Sequence, residues 1–298
     1  MTVRYSRIAV FGMGLLGGSV ATAVRQRGIA AEVVGITRRD ETARAVEAAG
    51  LVDRAVLDPA AGVADAEFVV LCNPVFAMRD TLARCAASLA DGAVVTDVGS
   101  VKGPLAETLP GLLPGHARYV GSHPMAGSHH TGFAHARADL FEGAACVVTR
   151  TPETDAAAAD GVTAFWTALG CRVFQRDPAR HDDEVGWISH APHAVAFAFA
   201  HALAGSPGPA SELRGPGFRD FMRIAGADPE MWTDILVANR KALATPLDAT
   251  LQSLQALHDA IASGDAERVL DLLASAREAL TGPSEGAGAN PAARSAAP

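Results

Sequence analysis

The sequence predicts an α/β protein in which a doubly wound parallel sheet is followed by an all-helical C-terminal domain. Across residues 1–150, short segments rich in β-branched residues alternate with Ala-rich segments of helical length. From about Asp177 onward the pattern becomes almost entirely helical. We therefore expect a domain built around this sheet, of the kind that binds dinucleotides, over residues 1–175, and a helical domain over residues 176–281. Residues 282–298 are rich in small residues and proline, and we expect them to form a disordered tail.

Six segments of the sheet domain have the composition of strands: RIAVFG, EVVGI, EFVVLCNP, AVVTDVGS, ARYVGSHP and ACVVT. Helices are expected between them, from about Leu15 to Arg27, from about Asp40 to Ala49, and in the segment that ends near Leu89. Connections of this length join parallel strands by right-handed crossovers, so the strands should form one parallel sheet. Asp40 is expected to be the N-cap of the second helix.

Three long helical segments are expected in the C-terminal domain. The segment RHDDEVGWISHAPHAVAFAFAHALAG contains Pro192, whose missing backbone donor should kink the helix. Its part from Ala191 to Ala204 is apolar around the whole circumference, so we expect it in the middle of the helical domain or at the interface of a homodimer. A second helix should begin with Asp228 as N-cap and Pro229 at its first position, and a third should start after Gly264.

Composition and charge exclude several classes of protein. With 298 residues, of which 49% are hydrophobic, the chain is long enough to bury a sizeable core. Its formal charge of -8 and its scattered arginines do not suit nucleic acid as a partner. Apart from an uncharged run from Ile8 to Val24, no apolar run is long enough to indicate a membrane span. The four cysteines lack the spacing of a zinc site or a disulfide framework, so we expect free thiols in a cytoplasmic protein.

The segment AVFGMGLLGGS places Gly12, Gly14 and Gly17 in a G-x-G-x-x-G pattern, directly after a strand and at the start of a helix. This pattern is typical of a Rossmann-type dinucleotide-binding sheet. The first glycine permits the turn, the second admits the pyrophosphate, and the third allows the helix to pack on the strand. A tight turn without a ligand is the structural alternative. The uncharged run from Ile8 to Val24 also resembles a signal peptide, but the glycine spacing favours the dinucleotide motif.

The end of the second strand, in GITRRD, indicates which nicotinamide cofactor is bound. A domain that prefers NAD usually carries a carboxylate here, which binds the ribose hydroxyls. This chain has Thr37, whose hydroxyl should contact a 2′-phosphate, followed by Arg38 and Arg39, which should grip it. We therefore expect NADP to be preferred over NAD; the alternative is that both arginines are ordinary solvated charges. The residues expected at the cofactor are Gly12, Gly14, Leu15, Leu16, Gly17, Thr37, Arg38, Arg39, Asn73 and Pro74.

Candidate catalytic side chains follow the later strands. Ser100 and Lys102 lie in DVGSVKG, directly after a strand, and offer a hydroxyl and a cation. His123 lies in GSHPMAG, at the end of the next expected strand. Because ligands gather at the carboxyl ends of parallel strands, we expect His123 to lie near Ser100 and the nicotinamide. A histidine satisfied within a loop is the alternative. A metal site is not expected, because the spacing of the nearby histidines fits no zinc pattern.

The helical domain adds further polar side chains. In SHAPH, His190 and His193 are three residues apart and so lie on one face of the long helix. The segment FRDFMRIAGADPEMW adds Asp220, Arg223 and Trp232. The planar guanidinium of Arg223 suits a carboxylate. An ion pair between Arg223 and Asp220, one helical turn apart, is the alternative.

Five segments, in this order, resemble the prephenate and arogenate dehydrogenase family of tyrosine biosynthesis: GMGLLGGS, DVGSVKG, GSHPMAGSHHTGF, SHAPH and FRDFMRIAGADPEMWTDI. The resemblance extends from about Arg7 to Leu270. It implies an oxidoreductase that transfers hydride from the hydroxyl-bearing carbon of a cyclohexadienol to the nicotinamide and releases the ring carboxylate as carbon dioxide. His123 would accept the hydroxyl proton, which requires a neutral imidazole with a pKa near the working pH. Pro124 would stiffen its surroundings.

The resemblance also implies roles for other residues. Ser100 would hydrogen-bond both His123 and the substrate hydroxyl, and Arg223 would bind a substrate carboxylate. The helical domain would pair two copies of the chain. The residues implied to line the substrate pocket are His190, His193, Trp232 and Ser128.

Two residues depart from the family pattern and leave the substrate open. Met222 stands where threonine is common, and His129 stands where an acidic or other polar residue is common. Both bear on whether the substrate side chain is a keto acid, as in prephenate, or an amino acid, as in arogenate. Two other functions stay open. A β-hydroxyacid-type dehydrogenase would use a lysine of the helical domain, where only Lys241 occurs, and a non-catalytic NADP-binding redox sensor would show no turnover.

Overall fold

A computed structural model describes residues 5–127, 130–205 and 213–281. The main sheet consists of β1 (Tyr5–Phe11), β2 (Ala30–Ile36), β3 (Arg54–Val56), β4 (Phe68–Leu71), β5 (Val94–Asp97) and β6 (Arg118–Tyr119). The strand order is β3-β2-β1-β4-β5-β6, and every neighbouring pair is parallel. The order reverses between β1 and β4, which is the arrangement of dinucleotide-binding sheets. The predicted fold class is confirmed.

The helices that connect these strands are α1 (Leu15–Gln26), α2 (Asp40–Ala48), α3 (Pro59–Val63), α4 (Val75–Ala83) and α5 (Gly103–Thr108). The first two match their predicted bounds to within one residue. The third predicted helix is shorter than expected, because α4 ends at Ala83 and a 3₁₀ turn follows at Ala86–Ser88. The predicted capping role of Asp40 is wrong. Arg39 is the N-cap, and the Asp40 carboxylate pairs with Arg44 one helical turn later.

The strands of the main sheet are buried on both faces. In β1, Ile8 and Val10 belong to one apolar cluster, which also contains Trp166. The alternate residues Ala9 and Phe11 belong to a second cluster on the other face. Strands with both faces covered by helices read as continuous apolar runs. That is why RIAVF and FVVL are so easily identified as strands of a parallel sheet.

A second, three-stranded sheet follows, formed by β7 (Ser122–Pro124), β8 (Ala145–Thr149) and β9 (Arg172–Arg176). β7 is antiparallel to β8, and β8 is parallel to β9, to which it is joined through α6 (Ala156–Ala168). The prediction that GSHP and ACVVT belong to the main sheet is therefore wrong. The chain leaves the main sheet after Tyr119, and His123 lies in the middle of β7 rather than after a strand. Apolar composition predicts a buried strand but does not specify its neighbour.

The helical region contains α7 (Pro178–Val185), α8 (Ala191–Ala204), α9 (Pro216–Arg223), α10 (Pro229–Ala238), α11 (Arg240–Ser263) and α12 (Ala266–Thr281). The predicted start of α10 is confirmed, because the Asp228 carboxylate accepts the N–H of Met231 at 2.9 Å. The predicted restart after Gly264 is confirmed as well, since α12 begins at Ala266.

The irregularity expected at Pro192 is a π-helical segment, Gly186–His190, which directly precedes α8. Pro192 itself is the second residue of α8, directly after this π-helical segment. Of the described side chains of α8, only Ala191 and Ala196 are buried, and Phe199 is 47% exposed. One chain alone therefore does not bury this apolar helix, so its expected position in the middle of the helical domain is wrong.

The chain divides into two compact units, Met1–Ala244 and Thr245–Pro298. The boundary expected after residue 175 lies inside the first unit, because α10 contributes Trp232 to the same apolar cluster as strands β1 and β4. In the second unit, the described elements are the end of α11 and the whole of α12. The expected tail over 282–298 lies outside the described residues. None of the described helices is long and apolar enough to cross a membrane.

Candidate active site

The loop between β1 and α1 has the geometry that a dinucleotide requires. Gly12 adopts a φ of +76°, and a Cβ at this position would lie 2.7 Å from the carbonyl oxygen of Cys72. A Cβ at Gly17 would collide with the carbonyl oxygen of Gly12, so the third glycine lets α1 pack against the loop. A Cβ at Gly14 would meet nothing within 4 Å. The middle glycine therefore leaves space where the motif needs it for a pyrophosphate.

The start of α1 and the end of β4 complete this nucleotide site. Gly14 is the N-cap of the 12-residue helix and carries no side-chain cap, which leaves the N–H groups of Leu15 and Leu16 for an anion. Next to the loop, the Nδ2 of Asn73 donates to the hydroxyl of Thr81 at 3.1 Å. The Oδ1 of Asn73 is buried and has no partner. A buried acceptor without a donor fits a hydroxyl or amide of a bound nucleotide, so these residues suit a nicotinamide dinucleotide.

The turn after β2 only partly matches the prediction for NADP. Thr37 is buried, and its hydroxyl donates to the carbonyl oxygen of Arg39 at 3.1 Å. The hydroxyl therefore braces the turn and has no proton left for a phosphate, which corrects the role expected for it. Arg38 and Arg39 are both exposed, and neither guanidinium forms an ion pair within the described ranges. Two unpaired cations thus follow the strand at which the ribose is expected.

His123 is buried in the middle of β7. Its Nδ1 lies 2.9 Å from the Nε2 of His181, a residue of α7, and the two rings meet edge to face with their centroids 5.1 Å apart. The expected hydrogen bond between Ser100 and His123 does not occur among the described residues, because His181 is the partner of Nδ1. No described group bonds to the Nε2 of His123. That nitrogen is the atom available to a substrate.

A buried ion pair fixes β7 beside the end of β5. The ammonium of Lys102 contacts the Asp97 carboxylate and donates to the carbonyl oxygen of Ser122 at 2.7 Å. The Ser122 hydroxyl donates to the carbonyl oxygen of Asp97 at 2.5 Å, and Tyr119 donates to the Asp97 carboxylate at 2.7 Å. Lys102 is thus a structural cation, not one that faces a ligand as the sequence suggested. This network holds His123 at the carboxyl edge of the main sheet, where ligands bind in such folds.

Asp182 connects the elements behind His123. Its carboxylate accepts the Nδ1 of His181 at 2.8 Å and the backbone N–H groups of Lys102 and Gly103 at 2.7 and 2.8 Å. Its own carbonyl oxygen accepts the Nδ2 of Asn239 at 3.0 Å. One acidic residue therefore links α7, the loop after β5 and the residue that follows α10.

His190 and His193 both contact Trp232, so the structure brings these three predicted residues together. His193 stacks on the indole with centroids 3.7 Å apart, and His190 meets it edge to face at 6.0 Å. The Nδ1 of His193 donates to the carbonyl oxygen of Ser189 at 2.8 Å. The Nδ1 of His190 lies 2.8 Å from the Nδ2 of Asn239, and its Nε2 is buried without a partner. These three side chains form one aromatic wall, in which the Nε2 of His190 has no hydrogen-bond partner.

Arg223 is the last residue of α9 and is exposed. Burial lowers the pKa of His193, and the nearby positive charge of Arg223 lowers it further, which places the guanidinium close to the His193–Trp232 pair. The alternative ion pair with Asp220 does not occur among the described residues. Arg223 is therefore free to bind an anion beside the aromatic wall. Ser128 and His129 lie outside the described residues.

Burial keeps the imidazoles of the site neutral. Desolvation lowers the pKa of His123 well below its usual value, and the charges of His181 and Lys102 lower it further. Desolvation also lowers the pKa of His181, although the Asp182 carboxylate opposes it, and lowers that of His190 to about 4. His123 is thus a neutral imidazole, as predicted. The lowered pKa departs from the expectation of a pKa near the working pH, and burial is its main cause.

Sequence reasoning missed three residues of this site: His181, Asp182 and Asn239. His181 and Asp182 lie in a run of polar residues, RHDDE, whereas Asn239 lies in the mostly apolar segment DILVANRKAL. Only Asn239 carried a signal in the sequence, because a polar residue buried in an apolar helical segment is usually hydrogen-bonded. Within the part of the chain that the structure describes, no group of three or more His, Cys, Asp or Glu side chains is placed to hold a metal. The four cysteines are free.

These features define a class of enzyme. A glycine loop for a dinucleotide lies at the strand reversal of a parallel sheet, and a neutral buried histidine lies at the carboxyl edge of the same sheet. Together they are the parts of a nicotinamide-dependent oxidoreductase that removes a hydride and a proton from an alcohol.

Comparison with known proteins identifies the family within this class. Residues 20–175 match the model of the prephenate dehydrogenase nucleotide-binding domain, and residues 177–275 match that of the prephenate dehydrogenase dimerization domain. The chain is 31% identical to the prephenate dehydrogenase of Bacillus subtilis, over 91% of this chain and 74% of that protein. The chain belongs to the prephenate dehydrogenase family, as its motifs predict.

Two solved structures support the same assignment. Prephenate dehydrogenase of Aquifex aeolicus, in complex with hydroxyphenyl propionate and NAD+, superposes with a TM-score of 0.86 at 30% identity and covers 94% of this chain and 99% of its own. Arogenate dehydrogenase of Synechocystis gives a TM-score of 0.77 at 32% identity, over 92% and 99% of the two chains. The β-hydroxyacid-type and non-catalytic alternatives are not favoured.

Proposed function

We propose that this chain catalyses the NAD(P)-dependent oxidative decarboxylation of a cyclohexadienol, prephenate or arogenate, in the synthesis of tyrosine. The observation that carries the proposal is His123, a buried neutral imidazole whose Nε2 is available at the carboxyl edge of the sheet. The names of the relatives, prephenate dehydrogenase and arogenate dehydrogenase, supply the two candidate substrates. The bound nicotinamide would supply the hydride acceptor.

His123 moves one proton in this reaction. As the C–H bond of the hydroxyl-bearing carbon gives up its electron pair as hydride, the Nε2 of His123 accepts the hydroxyl proton and a C=O bond forms. The bond to the ring carboxylate then breaks, carbon dioxide leaves, and the released electron pair makes the ring aromatic. The phenolic oxygen takes the proton back from His123, so the reaction neither gains nor loses a proton overall.

Other residues bind and orient the substrate. Arg223 is unpaired and exposed beside the aromatic wall, which suits a substrate carboxylate. The stacked pair of His193 and Trp232 offers a flat apolar surface to the ring. Ser100, in the loop that follows β5, retains its proposed hydrogen bond to the substrate hydroxyl. Its position on the same carboxyl edge as His123 supports this role.

We also propose that NADP is preferred over NAD. Arg38 and Arg39 are exposed and form no ion pairs within the described part of the chain, and Thr37 stands where a carboxylate would bind a ribose diol. The Aquifex relative was crystallised with NAD+, so this preference rests on the residues of this chain alone. The braced turn at Thr37 would present the two guanidinium groups to a 2′-phosphate.

We propose further that two copies pair through the helical domain. Residues 177–275 match a domain described as a dimerization domain. In α11 and α12, six large apolar side chains are more than half exposed: Leu251, Leu254, Ile261, Leu270, Leu273 and Leu280. Exposed apolar surface of this extent is typical of an oligomer interface. Light scattering at micromolar concentration should give about twice 30.6 kDa, and the mass of a single chain would contradict the pairing.

One assay tests the proposed reaction and its specificity together. Prephenate and arogenate are each combined with NAD and with NADP, and reduced nicotinamide is measured by its absorbance. We expect turnover with at least one substrate, and faster turnover with NADP. Folded protein that reduces neither cofactor with either substrate would overturn the proposed function and would leave a non-catalytic redox sensor as the better account.

A further inference from the structure

We propose that Asp182 sets two imidazoles of the site in opposite tautomers, so that His123 presents an unprotonated Nε2 while His190 presents a protonated one. The use of these atoms in catalysis rests on the proposed function. The positions of the protons do not, because they follow from hydrogen-bond partners and can be measured without turnover.

The first step concerns Asp182 and His181. The Asp182 carboxylate accepts the backbone N–H groups of Lys102 and Gly103 at 2.7 and 2.8 Å. Two charge-assisted bonds of this kind favour the ionised carboxylate, which can only accept. The Nδ1 of His181, 2.8 Å from the same carboxylate, must therefore carry a proton and donate it. In the neutral ring that leaves the Nε2 of His181 as an acceptor.

The second step extends this argument to His123. Its Nδ1 lies 2.9 Å from the Nε2 of His181, and one of the two nitrogens must donate. Because the Nε2 of His181 is an acceptor, the proton belongs to the Nδ1 of His123. The Nε2 of His123 is then left with its lone pair. Burial disfavours a charged form of both rings, which supports the neutral assignment.

The third step fixes His190 through Asn239. The carbonyl oxygen of Asp182 only accepts, so the Asn239 atom 3.0 Å from it is the NH₂ group, and the orientation of the amide is determined. The second hydrogen of that NH₂ group points to the Nδ1 of His190 at 2.8 Å. His190 therefore accepts at Nδ1 and carries its proton on Nε2. This Nε2 is buried and has no partner.

The two tautomers predict what the substrate must offer at each histidine. Nε2 of His123 takes a proton, so a hydroxyl belongs there. Nε2 of His190 donates one, so a carboxylate or keto oxygen belongs there, and an ammonium group is excluded. His193, one helical turn after His190, donates from its Nδ1 to the carbonyl oxygen of Ser189 and so has the opposite tautomer. The helix thus presents one donor and one acceptor imidazole on the same face.

Long-range nitrogen–proton correlation spectra of the ¹⁵N-histidine-labelled full-length chain test the assignment directly, because protonated and unprotonated imidazole nitrogens give well separated signals. His123→Gln and His190→Gln variants assign the two rings. We expect the proton on the Nδ1 of His123 and on the Nε2 of His190. A proton on the other nitrogen of either ring would overturn the proposal, whether or not the protein turns over a substrate.

A matched pair of His181 variants and one Asn239 variant test the two hydrogen-bond chains that start at Asp182. His181→Gln keeps a side-chain oxygen that can accept from His123, whereas His181→Leu does not. We expect the leucine variant to lose at least tenfold more kcat than the glutamine variant, with similar KM values. Asn239→Asp replaces the donor by an acceptor and should move the His190 proton to Nδ1 and raise KM. Equal kcat in the two His181 variants, or a His190 proton that stays on Nε2 in Asn239→Asp, would contradict the proposal. If a variant does not fold, the spectrum of the unmodified protein still decides between the tautomers.

Discussion

The Nε2 of His181 lies 2.9 Å from the Nδ1 of His123, and both imidazoles are buried. This contact occupies the Nδ1 of His123 and leaves Nε2 as the ring nitrogen to which a substrate can hydrogen-bond. A base held by a hydrogen bond on one side loses little orientational freedom when it accepts a proton on the other. A buried histidine in a short strand, with one ring nitrogen bonded in this way, suits the proposed role of a base.

His123→Asn should remove the proposed base with little change to the pocket. We expect turnover to fall by about two to four orders of magnitude, as is typical when a general base is lost, with KM nearly unchanged. Steady-state kinetics with the preferred substrate measure both values. Turnover close to that of the unmodified protein would remove His123 from the mechanism.

Arg223→Ala should act on substrate binding. A guanidinium that binds a carboxylate contributes about 1.5–3 kcal/mol, so KM should rise by about tenfold to a hundredfold while kcat changes less. Arg219→Ala is the matched control, because Arg219 is also exposed on α9 and its Nη1 donates only to a backbone carbonyl of the same segment. An unchanged KM in Arg223→Ala, or an equal rise in both variants, would refute the carboxylate role.

The nucleotide-binding half could be predicted from sequence because its signals are local. The G-x-G-x-x-G spacing and the continuous apolar strands each depend on a few neighbouring residues. The second sheet could not be predicted in the same way. β7 is only three residues long, and its pairing with β8 depends on residues more than 20 positions away. Nothing in SHP itself specifies that partner.

Acid should destabilise the fold through its buried histidines. Burial lowers the pKa of His123, His181 and His190, the last to about 4, whereas an unfolded histidine titrates near 6.5. Below about pH 6.5 the unfolded chain therefore binds more protons than the folded one. As the pH is lowered, the free energy of unfolding should decrease by up to about 1.4 kcal/mol per pH unit for each such imidazole, until the pKa of that imidazole in the folded protein is reached.

Urea unfolding between pH 7.5 and 5.5 measures this slope. His190→Gln should reduce it, because one imidazole of the set is gone, even if the variant is less stable at every pH. His201→Gln is the matched control on α8, the helix that directly follows His190, since His201 is exposed. A slope that does not change in His190→Gln, or that changes equally in His201→Gln, would show that the buried imidazole is not responsible.

The cofactor preference should reverse in a double variant. Thr37→Asp with Arg38→Ala introduces a carboxylate that accepts from the ribose hydroxyls and repels a 2′-phosphate, and it removes one of the two cations. We expect kcat/KM for NADP to fall below that for NAD. Arg44→Ala, in the next helix, removes a cation that is paired with Asp40 and should leave the ratio unchanged. Equal or higher efficiency with NAD in the unmodified protein would refute the preference.

The residues proposed to contact the substrate were easier to predict than those that hold them in place. His123, His190, His193 and Trp232 lie in motifs, and the structure brings the last three together. His181 and Asn239 act through hydrogen bonds to residues 58 and 49 positions away, and no local pattern encodes such a separation. The sequence also suggested a hydrogen bond between Ser100 and His123, because it could not show that α7 supplies a closer partner.

The central claim is that hydride transfer and loss of the ring carboxylate belong to one reaction. The most direct measurement is the amount of carbon dioxide released for each nicotinamide reduced, with substrate labelled in the ring carboxylate. Our account predicts equimolar amounts throughout the time course and an aromatic product. Reduction of the nicotinamide without release of labelled carbon dioxide would contradict it, because the chain would then oxidise an alcohol without decarboxylation.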